Sequence, residues 1–243
     1  MHSLHHTFHI TFWRPFSDDR PARPSPEWLQ YRTRFLIERT LRSLAQQTVP
    51  TPVLIYVAPD VREDFFATLS NQNLQLPTRA IVYSGSLEEE LAEARQNHDL
   101  LLLTRIDSDD LFHHNVAEEI QRTPNLTHWR LLIYRVGFIY NIHTQTVDRY
   151  IRHCPPFYTT VIPRNEKIDF ANHMHMMAKT DPRRTRPLPA GRFVIMVHEH
   201  QDTSTWENLQ QYARANRHKF RASDLVPFPE NLAEFGSPDL EIV

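Results

Sequence analysis

Three observations predict an α/β domain built on a mostly parallel central sheet. Apolar runs of strand length alternate with helical stretches through the first half of the chain, reaching strand–helix–strand–helix–strand–helix–strand by residue 106. The last of these runs, Leu100–Leu103, leads through Thr104, Arg105 and Ile106 into three carboxylates, Asp107, Asp109 and Asp110. The 243 residues contain no internal repeat and no linker that would split them, so one domain with one large core is expected.

Taken in order, His9–Phe12 alternates polar and apolar and reads as a first strand, and the Pro- and Arg-rich stretch 18–26 is a loop. Ser25-Pro26-Glu27 is a helix start, with Ser25 as N-cap and proline at the first helical position. Trp28, Tyr31, Phe35, Leu41 and Leu44 carry that amphipathic helix to about Gln47, and Pro50 and Pro52 end it. Val53–Ala58 is a second strand closed by Pro59-Asp60; a short helix over 64–71, a strand over 79–83 and a helix over 87–97 follow. Beyond the acidic cluster, 131–140 and 146–152 predict a hairpin, 157–163 and 193–197 are strands, and 206–220 is a helix. The tail from Asp224, with three prolines, is expected to be loosely held.

Composition excludes several classes. A net charge of −2 gives no excess of positive charge for a nucleic-acid backbone. Only three of the 27 basic residues are lysine; arginine suits phosphate, although the same skew has other origins. A lone cysteine, Cys154, rules out an intrachain disulfide. No apolar run approaches the roughly 20 residues of a membrane span, and the histidine-rich start lacks a signal peptide's apolar core. The chain reads as cytoplasmic, with no integral membrane segment. Its four glycines cannot form a dinucleotide fingerprint or a P-loop, so a nucleotide would have to be held by other means.

A buried strand ending in acids places those acids where open α/β sheets bind ligands. In extended backbone Asp107 and Asp109 share a face, and two adjacent carboxylates repel unless a cation neutralises them. Such hard oxygen ligands suit Mn2+ or Mg2+. The plainer reading is an acidic turn in which Asp110 caps a helix over 111–122.

These residues resemble a family. The strand ending Arg105-Ile-Asp-Ser-Asp-Asp110 resembles the DxD signature of GT-A fold (Rossmann-like) glycosyltransferases. Leu41-Arg-Ser-Leu-Ala-Gln-Gln-Thr48 before the second strand resembles the element that opens those folds. Trp129–Tyr140 and Val197-His-Glu-His-Gln-Asp202 resemble the later part of the bacterial rhamnosyltransferase-like group. The first strand lacks that group's usual Tyr-Asn-Arg ending.

The resemblance implies a nucleotide-binding half over about 1–112, an acceptor half over about 113–222 and a tail over 223–243. It implies transfer of a sugar from a nucleotide-sugar donor to a glycan or lipid-linked acceptor, as in polysaccharide biosynthesis. Asp109 would ligate the metal directly, Asp107 would face ribose and metal, and Asp60 would contact base or ribose. His198 or His200 would complete the metal shell, each also readable as one of 15 surface histidines. Candidate bases for the acceptor hydroxyl are Asp110, Glu166 and Asp169. Arg105 either reaches the diphosphate or pairs with an aspartate of the cluster. His173 and His175, set among methionines, are better read as packing than as a soft metal site.

Two rivals remain. Asp-x-Asp after an apolar strand also serves metal-dependent phosphoryl transfer, but there a Thr or Val stands where this chain has Leu111. The other rival is a nucleotide-sugar-binding module without turnover. A calcium loop fails, since Leu111 and Phe112 stand where a ligand and a glycine belong.

Overall fold

The strand that ends in the acidic cluster lies near the middle of a seven-stranded sheet in a single mixed α/β domain. The computed structural model describes residues 2–13, 23–152, 156–168, 181–199, 205–217, 226–240 and 242. Strand β1 is Leu4–Trp13, β2 Val53–Val57, β3 Ala80–Tyr83 and β4 Leu100–Asp107. A two-residue strand β5 (Leu111–Phe112) is followed by β6 (Leu131–Ile133), β7 (Val136–Asn141), β8 (Thr146–Ile151) and β9 (Tyr158–Pro163). Strands β10 (Thr185–Pro187) and β11 (Phe193–Val197) complete the set. The large sheet has the order β10-β6-β9-β4-β1-β2-β3, and every neighbouring pair is parallel except the two that involve β9. A second sheet, β5-β11-β7-β8, packs the other half of the chain.

Strand β1 is longer than its apolar pattern suggests. Its first half includes His5, His6 and Thr7, and it runs through the sheet between β4 and β2. A central strand must bury polar side chains with partners. His6 Nε2 lies 2.8 Å from Thr104 Oγ1, and His9 Nε2 lies 2.7 Å from Tyr83 Oη.

Helix α1 (Pro26–Phe35) starts as expected, with Ser25 Oγ accepting the Trp28 N–H. It passes through a π-helical turn, Leu36–Thr40, into α2 (Leu41–Ala45). Gln47, just beyond, donates to His113 O and accepts from Ala117 N–H, tying this segment to α6 (Val116–Gln121). Between β2 and β4 lie α3 (Arg62–Asn71), α4 (Leu87–Glu90) and α5 (Ala92–Asn97). The helix expected over 87–97 is thus broken at Leu91. α7 (Trp206–Asn216) packs on β8.

Three expectations are corrected. The stretch 131–140 is not one strand: it divides at Tyr134-Arg135, so β6 joins the large sheet while β7 joins the second and forms the expected hairpin with β8. Residues 111–112 are a strand rather than the start of a helix, and their side chains go to opposite faces: Phe112 joins the main core with Phe8 and Phe157, and Leu111 joins a second buried cluster with Phe138 and Met196. The tail is docked over its described part: Leu232 and Phe235 are buried, and Asp239 accepts twice from Arg39 Nη1 at 2.6 and 2.7 Å. No helix among the described residues is long and apolar enough to cross a membrane.

Candidate functional site

Strands β3, β2 and β1 follow one another to one side and β4 returns on the other side of β1, so the strand order reverses between β1 and β4. Ligand crevices in open α/β sheets form beyond the carboxyl ends of strands at such a reversal. Thr11 and Asp107 face each other there in register. Asp60, exposed in the turn after β2, lies at the same edge.

Asp107 ends β4, and the chain then turns. The Asp110 N–H reaches back to Asp107 O at 3.4 Å. This turn defeats the expectation that Asp107 and Asp109 share a strand face, and the three carboxylates diverge. Asp107 is the open one, 38% exposed in its side chain, and its Oδ1 accepts from Arg105 Nη2 at 2.7 Å. Arg105 is thus a partner of the cluster, as one of its two readings had it.

Asp109 turns inward. Its Oδ2 accepts a short hydrogen bond from Arg32 Nη1, and His198 Nε2 lies 3.2 Å away from the same oxygen. Arg32 Nη1 is itself 3.2 Å from His198 Nε2, while its Nη2 donates to Ser108 Oγ at 2.6 Å. Arg32 projects from α1 with its guanidinium 5.3 Å from the centre of the Trp28 ring. His198 follows β11 and is flanked by Tyr31 and Phe35, whose ring centres lie 5.2 and 5.0 Å away. Burial pushes the Asp109 carboxyl up, but the Arg32 guanidinium and His198 outweigh it and hold the group well below the usual carboxylate range.

Asp110 turns the third way, and its Oδ1 accepts the Met196 N–H of β11 at 3.2 Å. Burial, then the charges of Asp109 and Asp107, push its carboxyl well above the ordinary value. It is no helix cap, because the residues after it form β5. As a base it is poorly suited, since it is closed off from solvent and its Oδ1 is taken up by the Met196 N–H.

Glu166 is not in this site. Strand β9 runs against β4, pairing Pro163 with Leu100, so Glu166 sits beyond the opposite edge of the sheet. The length of β4, about 23 Å at ~3.3 Å per residue, separates it from Asp107. There it forms an ion pair with Arg130. Asp169, His173, His175 and His200 lie outside the described residues.

The side chains here do not fit a divalent cation. Asp107 is paired with Arg105, Asp110 is turned to β11, and the point where Asp109 Oδ2 and His198 Nε2 converge is filled by Arg32. Among the described residues no three His, Cys, Asp or Glu side chains converge on a metal position. The sequence reading brought Asp109 and His198 together but missed Arg32 and Ser108. One signal was there: Arg32 lies three residues after Leu29 and four before Leu36, within the buried stripe of its helix.

No family model matches the chain. No curated protein matches it either. Among solved structures, S. aureus TarS 1–349 in complex with UDP-GlcNAc is similar at 12% identity and a TM-score of 0.44, over 87% of this chain and 65% of that one. With UDP alone the same protein gives 12% and 0.41, over 79% and 60%. The chain therefore spans less than two thirds of the TarS structures it matches. Rv0371c from Mycobacterium tuberculosis H37Rv is similar at 11% identity and a TM-score of 0.38, over 88% of this chain and all of that one.

Proposed function

We propose that this chain is a glycosyltransferase that moves a hexosyl group, rhamnosyl included, from a nucleotide-sugar donor to a hydroxyl on a glycan or lipid-linked acceptor. The observation that carries the reading is the placement of Asp107, Arg105 and the buried Arg32–Asp109–His198 group at the carboxyl edge where the strand order reverses. Asp60 and Asp107 face the base and ribose, since carboxylates accept from ribose hydroxyls and base N–H groups. Arg105 exchanges part of its bond to Asp107 for the donor diphosphate, a ligand that a planar guanidinium binds bidentately. The carboxylates alone would repel a diphosphate, and their pairing with arginines removes that repulsion. No step of this reading passes through Mn2+ or Mg2+. Of the candidate bases, Asp110 is closed off from solvent and Glu166 is remote.

The test is a panel of nucleoside diphosphates and nucleotide-sugars, read first by thermal stabilisation and then by release of nucleoside diphosphate. A ligand that binds N but not U raises the melting temperature, so a hit names the base before any acceptor is known. Absence of stabilisation by every nucleotide, with Asp107→Asn behaving as wild type, would end the reading.

A further inference from the structure

We propose that Arg32 holds the position a divalent cation would take, so that this site binds no metal and a fixed guanidinium supplies the positive charge behind the donor diphosphate. The ligand's identity rests on the function proposed above; the exclusion of metal rests on geometry alone.

A carboxylate oxygen and an imidazole nitrogen brought to one point are a donor pair suited to manganese. Here Asp109 Oδ2 and His198 Nε2 make that pair, 3.2 Å apart, and Arg32 Nη1 stands against both. The guanidinium cannot lose its charge at any ordinary pH. To admit a metal it would have to leave Asp109 and break its 2.6 Å bond to Ser108. Its side chain is only 5% exposed, and it is carried on a helix that packs its Trp28 against Trp13, the rings 5.0 Å apart. Displacing it would strand a buried cation, which is a large penalty.

Charge points the same way. Asp107 has Arg105, Asp109 has Arg32, and Asp110 accepts a backbone N–H. Each carboxyl group already has its donor, so none needs a metal. The guanidinium is buried and committed to Asp109 and Ser108, so it acts on an anion through its charge rather than by direct contact. An anion arriving at the turn would meet that charge already fixed in place.

The experiment uses the whole chain. Mn2+ alone is titrated into wild type and into Arg32→Met, with binding read by electron paramagnetic resonance, and nucleoside diphosphate affinity is measured in chelator and in Mn2+. Wild type should show no Mn2+ site that depends on Asp109. Arg32→Met, which keeps the aliphatic stem and uncovers Asp109 and His198, should gain one. Nucleoside diphosphate affinity in wild type should agree between chelator and Mn2+ within about twofold. Arg32→Lys, the folded control should the Met variant fail, should weaken nucleoside diphosphate binding in chelator by about tenfold, because an ammonium cannot reproduce the fork. A wild-type Mn2+ signal abolished by Asp109→Asn would overturn the proposal, as would nucleotide binding that appears only with metal. If no nucleotide binds under any condition, the functional reading falls, and the Mn2+ titrations still decide whether Arg32 fills the cation's place.

Discussion

The Asp110 carboxyl accepts the Met196 backbone N–H at 3.2 Å, and this bond fastens the acidic turn of the large sheet to β11 of the second. His198 directly follows β11, so the same bond helps to set the imidazole against Asp109. Burial and the charges of Asp109 and Asp107 raise this carboxyl, and the Met196 N–H pulls it the other way.

Asp110→Asn should therefore stabilise the protein at neutral pH. The folded-state pKa of Asp110 is raised, so between the ordinary carboxylate value and that raised value the unfolded chain has released a proton the folded chain still holds. Stability falls as pH rises through that window. Asparagine keeps the acceptor for Met196 and has no proton to lose. A gain is expected at pH 7.5, shrinking towards pH 4.5, in urea unfolding at the two pH values. An equal effect at both would contradict it.

His6 and His9 predict the opposite slope. Burial, with nearby positive charge, lowers both to about 3. The unfolded chain then takes up protons below its own histidine pKa while the folded chain does not, so stability is lost as pH falls from about 6.5 towards 3. By pH 5 each should have removed about 2 kcal/mol. His9→Gln should flatten the melting temperature profile between pH 7 and 5; an unchanged slope would show that His9 is protonated without penalty.

These histidines also mark where the sequence stopped being legible. Strands β2, β4, β9 and β11 announce themselves as apolar runs bounded by Pro or acids, and the hairpin β7–β8 by its turn. The first half of β1 hid because His5-His6-Thr7 looks polar, and only the partners on β4 and β3 make it a core strand. Residues 131–140 carry one apolar pattern but serve two sheets, a choice made by tertiary packing. In the site, the acidic turn was legible from its place after a buried strand. His198 was reachable only through the order of motifs, since 89 residues separate it from Asp109. Arg32 was hidden by the habit of assigning arginine to the wet face of a helix.

Gly137 predicts a packing effect. A Cβ there would lie 2.6 Å from the Phe193 ring, which itself stacks on Phe157 at 3.9 Å between centres. Gly137→Ala has to push that stack apart, and overpacking of this kind destabilises by about 1–3 kcal/mol. The check is denaturant unfolding, in which the midpoint should fall with the slope unchanged.

Glu166→Gln separates the two edges of the sheet. It removes an ion pair with Arg130 that is about half exposed on the glutamate side, worth at most ~1 kcal/mol. Donor binding and turnover should stay within about twofold of wild type, because the acidic turn is a strand's length away. A loss of turnover of ~100-fold, the scale of a missing general base, would return Glu166 to the reaction.

Asp107→Asn and Asp109→Asn should differ sharply in stability before any ligand is added. Asp107 is partly exposed, and water can replace what Arg105 loses, so less than ~1 kcal/mol is expected. Asp109 is buried against Arg32, and its neutral replacement leaves a guanidinium without its counter-charge, an arrangement that destabilises by about 3–5 kcal/mol. An acid at a solvated strand end would show no such penalty. The depressed pKa of Asp109 gives a second signature: its contribution is present above the ordinary carboxylate value and is lost as pH falls through the lowered one. The difference between wild type and Asp109→Asn should therefore narrow in strong acid, and thermal unfolding of both variants across pH 3 to 7 reads it. Equal stabilities for Asp107→Asn and Asp109→Asn at neutral pH would mean that Arg32 is not committed to Asp109, and the guanidinium would then be free to yield its place to a metal.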